Sequence, residues 1–96
     1  MGYQVPWELV PVRYMAGGLR RYYESGIPPG SFLTALLSND LAGSFAAADL
    51  DNTENMLAWV RFLWNDFDEQ AWGSPRIVSA WIETGGLGVL PVYRGS

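Results

Sequence analysis

Six of the ten carboxylates in this 96-residue chain stand between residues 49 and 69: Asp49, Asp51, Glu54, Asp66, Asp68 and Glu69. Arg61 is the one basic residue among them, so the stretch carries a net −5, while the other four acids and five arginines leave the remainder at +1. Such a run could do three kinds of chemistry. The first is calcium binding, because Asp49-Leu50-Asp51-Asn52-Thr53-Glu54 begins like a calcium loop. An EF-hand takes glycine at its sixth position and a bidentate glutamate at its twelfth, and here Glu54 and Val60 stand there instead, so no metal is expected. The second is glycoside hydrolysis by paired carboxylates, which needs two acids facing each other across a substrate cleft, a feature that a helical chain this small seldom supplies. The third is electrostatic: an acidic surface can compete for a basic groove that ordinarily holds phosphates. The plainer explanation is that acids at a helix start cap it and acids on a surface keep a protein in solution. Asp66 and Asp68 fit that explanation less well, because a helix C-terminus disfavours negative charge.

The missing side chains restrict the chemistry further. The chain has no histidine, no cysteine and no lysine, and all six of its basic residues are arginine. Without histidine it lacks the commonest general base at neutral pH and the commonest metal ligand. Without cysteine it has no disulfide, no thiolate nucleophile and no thiolate metal site. Serine–histidine and cysteine–histidine hydrolysis are excluded, as are the phosphate-loop and Schiff-base lysines. A non-enzymatic protein with no catalytic residue and no cofactor is expected.

Aromatic residues make up 15% of the chain, including five tryptophans: Trp7, Trp59, Trp64, Trp72 and Trp81. Most should fill the core, where a short chain gains much buried area from each ring. Trp7 and Trp72 fall in segments expected to be irregular, which favours a pocket-filling or interface role. Phe62 joins them, because its helical phase should leave it exposed. Arg13, Arg20 and Arg21 share a segment with Tyr14, Tyr22 and Tyr23, a pattern used to bind single-stranded nucleic acid. With only three charges, Glu24 opposing one of them and a net charge of −4 overall, direct nucleic-acid binding is not expected. The candidate partner-binding residues are therefore Asp49, Asp51, Glu54, Phe62, Asp66, Asp68, Glu69 and Trp72.

These side chains must be carried by helices, because the apolar spacing is helical rather than alternating. A first helix is expected from about Pro11 to Ser25, with Val12, Met15, Ala16, Leu19, Tyr22 and Tyr23 on one face and Gly26 as its cap. A second follows Pro28-Pro29-Gly30, capped by Ser31 and burying Phe32, Leu33, Leu36 and Leu37. Asn39-Asp40 should break it and cap a short helix through Leu41, Phe45 and Ala48. A further helix should start at Asp51, with Glu54 completing a capping box, and end near Phe67. Its stripe would be Met56, Val60, Leu63 and Phe67, flanked by Leu57, Trp59 and Trp64. The two acidic groups would then lie about 20–25 Å apart at its ends. Ser74 and Pro75 open the last helix, which buries Ile77, Val78, Trp81 and Ile82 and stops at Gly85. The chain should form one all-α domain of four or five helices, with residues 1–10 irregular and 87–96 extended. The similarity of Leu90-Pro91-Val92 to residues 9–12 suggests that the two ends lie side by side. No apolar run reaches the ~20 residues of a membrane span, and a soluble, unexported protein is expected.

Glu24-Ser25-Gly26-Ile27-Pro28-Pro29-Gly30-Ser31-Phe32-Leu33, Leu37-Ser38-Asn39-Asp40-Leu41, Trp72-Gly73-Ser74-Pro75 and Ala80-Trp81 resemble a group of small bacteriophage proteins, mostly hypothetical. The likeness extends from about Arg20 to Gly86. It implies expression in a host bacterial cytoplasm, and it transfers no active site, since the motif residues are turns, caps and helix starts. Small acidic phage proteins without catalytic groups often block host defences, anti-CRISPR proteins among them. The expectation is thus a stoichiometric inhibitor whose partner is a host defence protein or CRISPR effector complex, with no membrane partner. A self-associating phage assembly accessory (a homo-oligomer) and a sponge for a nucleotide signal are the alternatives.

Overall fold

Glycine, proline and Asx residues set most of the helix boundaries, but the first helix, expected from about Pro11, is α-helical only from Ala16, after the 3-10 turn Arg13–Met15. A computed structural model describes residues 4–88. The α-helices are α1 (Ala16–Ser25), α2 (Ser31–Leu37), α3 (Leu41–Ala47), α4 (Leu50–Glu54), α5 (Met56–Asn65) and α6 (Pro75–Glu83), with short 3-10 turns at Trp7–Leu9, Arg13–Met15, Glu69–Ala71 and Gly86–Gly88. Among the described residues there is no strand, and the fold is all-α. The expected pairing of the two chain ends involves residues 90–92, which lie outside the described residues.

Each helix boundary has a local cause. Gly26 ends α1 in the left-handed conformation at φ 70°, which glycine adopts without the Cβ penalty. Asn39 also takes a positive φ of 64°, as asparagine tolerates better than most residues, and Asp40 then accepts from the Gly43 amide to start α3. Ser74 caps α6, its hydroxyl accepting from Ile77 N, with Pro75 in the first turn. Two expected caps are displaced. Gly30 rather than Ser31 is the N-cap of α2, and Ser31 is its first helical residue. Asp49 rather than Asp51 caps α4, accepting from the Asn52 amide. The long helix expected from Asp51 to Phe67 is divided at Asn55 into α4 and α5, which makes six α-helices among the described residues.

The core forms where α1, α2, α5 and α6 bring their apolar faces together. Leu19, Tyr22 and Tyr23 of α1, the Phe32, Leu33, Leu36 and Leu37 set of α2, and Val78 and Trp81 of α6 are all buried. Val5, Val10 and Val12 of the N-terminal segment are buried with them, so the described part of that segment is tied to the core although it forms no α-helix. Aromatic polar groups dock the elements to one another. The Trp81 indole N–H donates to the carbonyls of Tyr22 and Tyr23 at 3.1 and 3.0 Å, and its ring stacks on Tyr23 with centroids 5.5 Å apart. The Tyr22 hydroxyl donates to Ala71 O at 2.7 Å. Among the described residues no buried side-chain nitrogen or oxygen lacks a partner, as a well-packed interior requires.

Packing at α5 departs from the expected phase. Its buried residues are Met56, Trp59, Phe62 and Leu63. Phe62, expected at the surface and counted among the partner-binding candidates, is only 3% exposed and packs against Trp59 and Phe67. Trp59, expected on a flank, is fully buried, and Val60, expected in the stripe, is 37% exposed. Met56, Leu63 and Phe67 of the predicted stripe are buried as expected, and the inward face is turned toward Trp59 and Phe62 by about half of one 100° residue step. The anchor for that orientation is Asn52, buried in α4, whose side-chain oxygen accepts from the Trp59 indole N–H at 2.9 Å while its amide donates to Asp49.

Candidate functional site

The turned phase of α5 leaves an apolar face toward solvent. Leu57, Val60 and Trp64, spaced three and four residues apart, form an outward stripe, with Leu57 64% and Trp64 74% exposed. Trp64 meets Trp72 edge to face at 6.1 Å. Across from this stripe, Leu41 and Ser44 of α3 form the opposite wall of a cleft of about 70 Å³, with Leu36, Met56 and Leu63 beneath. A second hollow, of about 300 Å³, is lined by Asn39, Leu63, Trp64, Glu69, Trp72 and Gly73. The two share Asn39, Leu63, Trp64 and Trp72.

The candidate acids divide by what their oxygens hold. Asp49 caps α4 and also accepts from the Tyr14 hydroxyl. Asp51 receives a longer bond from the same hydroxyl at 3.3 Å. Asp68 caps the 3-10 turn Glu69–Ala71 through the Gln70 amide and accepts from the Tyr23 hydroxyl at 2.7 Å. A local cap thus accounts for one acid beside the α5 C-terminus. Asp66 is the C-cap of α5 and is half-buried. Glu54 and Glu69 are exposed, and Glu69 borders the larger hollow. The two acidic groups therefore stand at the ends of the outward apolar stripe, but only part of their charge is free of structural work. Trp72 lines both hollows, whereas Phe62 is inside the core. Trp7, by contrast, packs edge-on against Tyr23 and Phe67, with the Arg20 guanidinium 5.7 Å from its ring.

Tyr14, Leu41, Leu57, Val60 and Trp64 were not singled out by sequence as partner-binding residues. The available signal was in α5 itself, where every residue except Arg61 and Asn65 is apolar. A helix apolar on all sides must either be enclosed or present one face to something.

The Tyr14–Asp49 contact has an electrostatic consequence. The hydrogen bond from Tyr14, followed by the Asn52 amide, holds the Asp49 carboxyl below the ordinary carboxylate range, and the same bond raises the Tyr14 phenol above its ordinary value. A carboxyl whose pKa is lower folded than unfolded contributes stability above its unfolded pKa of about 3.9, and that contribution is lost as the pH falls through the folded value. Asp49→Asn keeps a capping oxygen but cannot titrate. The difference in Tm between wild type and Asp49→Asn should therefore be largest near neutral pH and shrink in acid. A constant difference from pH 7 down to pH 2 would show that the charge on Asp49 does not matter.

Among the described residues no group of three or more acids is placed to hold a metal ion, and no helix is long and apolar enough to cross a membrane. No family model, curated protein or solved structure matches the chain.

Proposed function

We propose that this chain is a phage-encoded, non-enzymatic inhibitor of a bacterial defence system, of the anti-CRISPR kind. It acts in the host cytoplasm by binding one target stoichiometrically and covering a nucleic-acid-binding or protein surface. The observation carrying this reading is the combination at α5: a solvent-facing row of Leu57, Val60 and Trp64 within a segment of net −5. A basic surface that has evolved to hold phosphates attracts such a face by charge, and burial of the apolar row then adds affinity. The phage resemblance of residues 20–86 and the absence of histidine, cysteine and lysine favour a blocker over a catalyst.

The experiment is to express the chain in bacterial strains that each carry one active CRISPR system directed against a challenge phage. Plaque formation should recover in one system, and binding to that purified effector should weaken as salt rises. Glu54→Lys with Glu69→Lys should weaken the complex and reduce its salt sensitivity. Both side chains are exposed, so this variant avoids the caps held by Asp49 and Asp68. Failure to protect phage against any system would reject the anti-CRISPR reading. Protection with binding insensitive to both salt and the double substitution would reject the electrostatic mechanism. The alternative of a self-associating assembly accessory draws on the same apolar row, and light scattering of the purified protein distinguishes it.

A further inference from the structure

We propose that the cleft between α3 and α5 is a docking groove for a cationic amphipathic helix of a partner protein. One aliphatic side chain of that helix seats between Leu41 and Trp64, and its basic residues face Asp40 and Glu69. This inference rests on the reading that the chain acts by binding, and it gives that binding a chemistry. The cleft has apolar residues below (Leu36, Met56, Leu63) and on both sides (Leu41 and Val60). Its volume of about 70 Å³ is roughly half that of a 150 Å³ engineered cavity that accepts benzene, which suits one aliphatic side chain. A groove between two helices that takes apolar anchors spaced along one face is the usual geometry for helix docking.

Charge chooses the occupant. Asp40 borders the cleft, Glu69 borders the adjoining hollow, and no arginine lines either one. A second copy of the chain would set the net −5 stretch of residues 49–69 against the same stretch, and like charges across an interface oppose association. Nucleic acid is repelled for the same reason. A helix carrying arginine or lysine beside its apolar anchors satisfies both the groove and its rim.

The probe is a random helical peptide library, displayed and selected on the wild-type protein. The enriched peptides should carry apolar residues at helical i, i+4 spacing flanked by arginine or lysine. Val60→Asp should weaken a selected peptide by about tenfold or more, as expected of a buried anchor position. Trp64→Ala should also weaken it, and Glu69→Arg should weaken it chiefly at low salt. All three positions are exposed, and circular dichroism melts check that each variant folds. Lack of enrichment, enrichment of acidic peptides, or equal binding to Val60→Asp would overturn the proposal. So would a dimer in sedimentation that Val60→Asp dissociates, since that assigns the face to a second copy. The selection does not depend on any defence target, so its failure is separable from failure of phage protection.

Discussion

Trp59→Ala should eliminate cooperative unfolding at ambient temperature. Trp59 is fully buried in α5 and touches the rings of Phe32 and Phe62. Truncating a buried tryptophan costs about 3–5 kcal/mol. The substitution also strands the Asn52 side-chain oxygen, which accepts from the Trp59 indole, and an unpaired buried acceptor adds about 1–3 kcal/mol. The two together are comparable to the whole stability expected of a domain this size, about 5–15 kcal/mol. Urea unfolding followed by far-ultraviolet circular dichroism measures the effect without relying on indole fluorescence. Trp59→Phe, which keeps a ring but removes the donor, should lose less and retain a cooperative transition. A Trp59→Ala protein within about 1 kcal/mol of wild type would contradict the placement of this residue.

Gly86→Ala should destabilise the fold strongly. Gly86 follows α6 at φ 69°, and a Cβ there would lie 2.7 Å from both Tyr23 O and Gly26 N. Gly26 mirrors it: at φ 70° its Cβ would lie 2.8 Å from the Gly85 backbone. At this point the end of α1 and the turn after α6 touch backbone to backbone, close to where Trp81 bonds the Tyr22 and Tyr23 carbonyls. The left-handed conformation alone costs alanine about 1–2 kcal/mol. The clash adds to that, because no flexible side chain stands in the way to move aside. Gly30→Ala is the control, since a Cβ there meets nothing within 4 Å and φ is −67°. Thermal melts should show a large loss for Gly86→Ala and little change for Gly30→Ala. Equal losses would mean that the α1–α6 contact does not require glycine.

How much of this could be read from sequence depended on whether a residue's role was local. Gly26, Asn39-Asp40 and Ser74-Pro75 act on their own helix ends, and each performs the expected task. The stripes of α1 and α2 were likewise legible, because polar residues on their other faces leave only one way to turn them. In α5 nearly every residue is apolar, so periodicity could not choose which face turns inward. That choice is made by the Asn52–Trp59 bond and by the break at Asn55, and neither announces itself in the pattern. Phe62 was therefore placed outside and Val60 inside. The acidic composition of the site was visible, but its apolar stripe was hidden by the phase error. Asp68 could not be recognised as a cap until the 3-10 turn at Glu69–Ala71 and its Tyr23 partner were seen.

A blocker of the proposed kind occupies a surface and turns nothing over. The most direct test of that claim is an inhibition titration against the effector complex identified by phage protection, at effector concentrations well above the dissociation constant. Residual activity should fall linearly and reach zero at one fixed stoichiometric equivalent. Complete inhibition at a small fraction of an equivalent, deepening with incubation time, would mean that each molecule disables many targets and would contradict the claim.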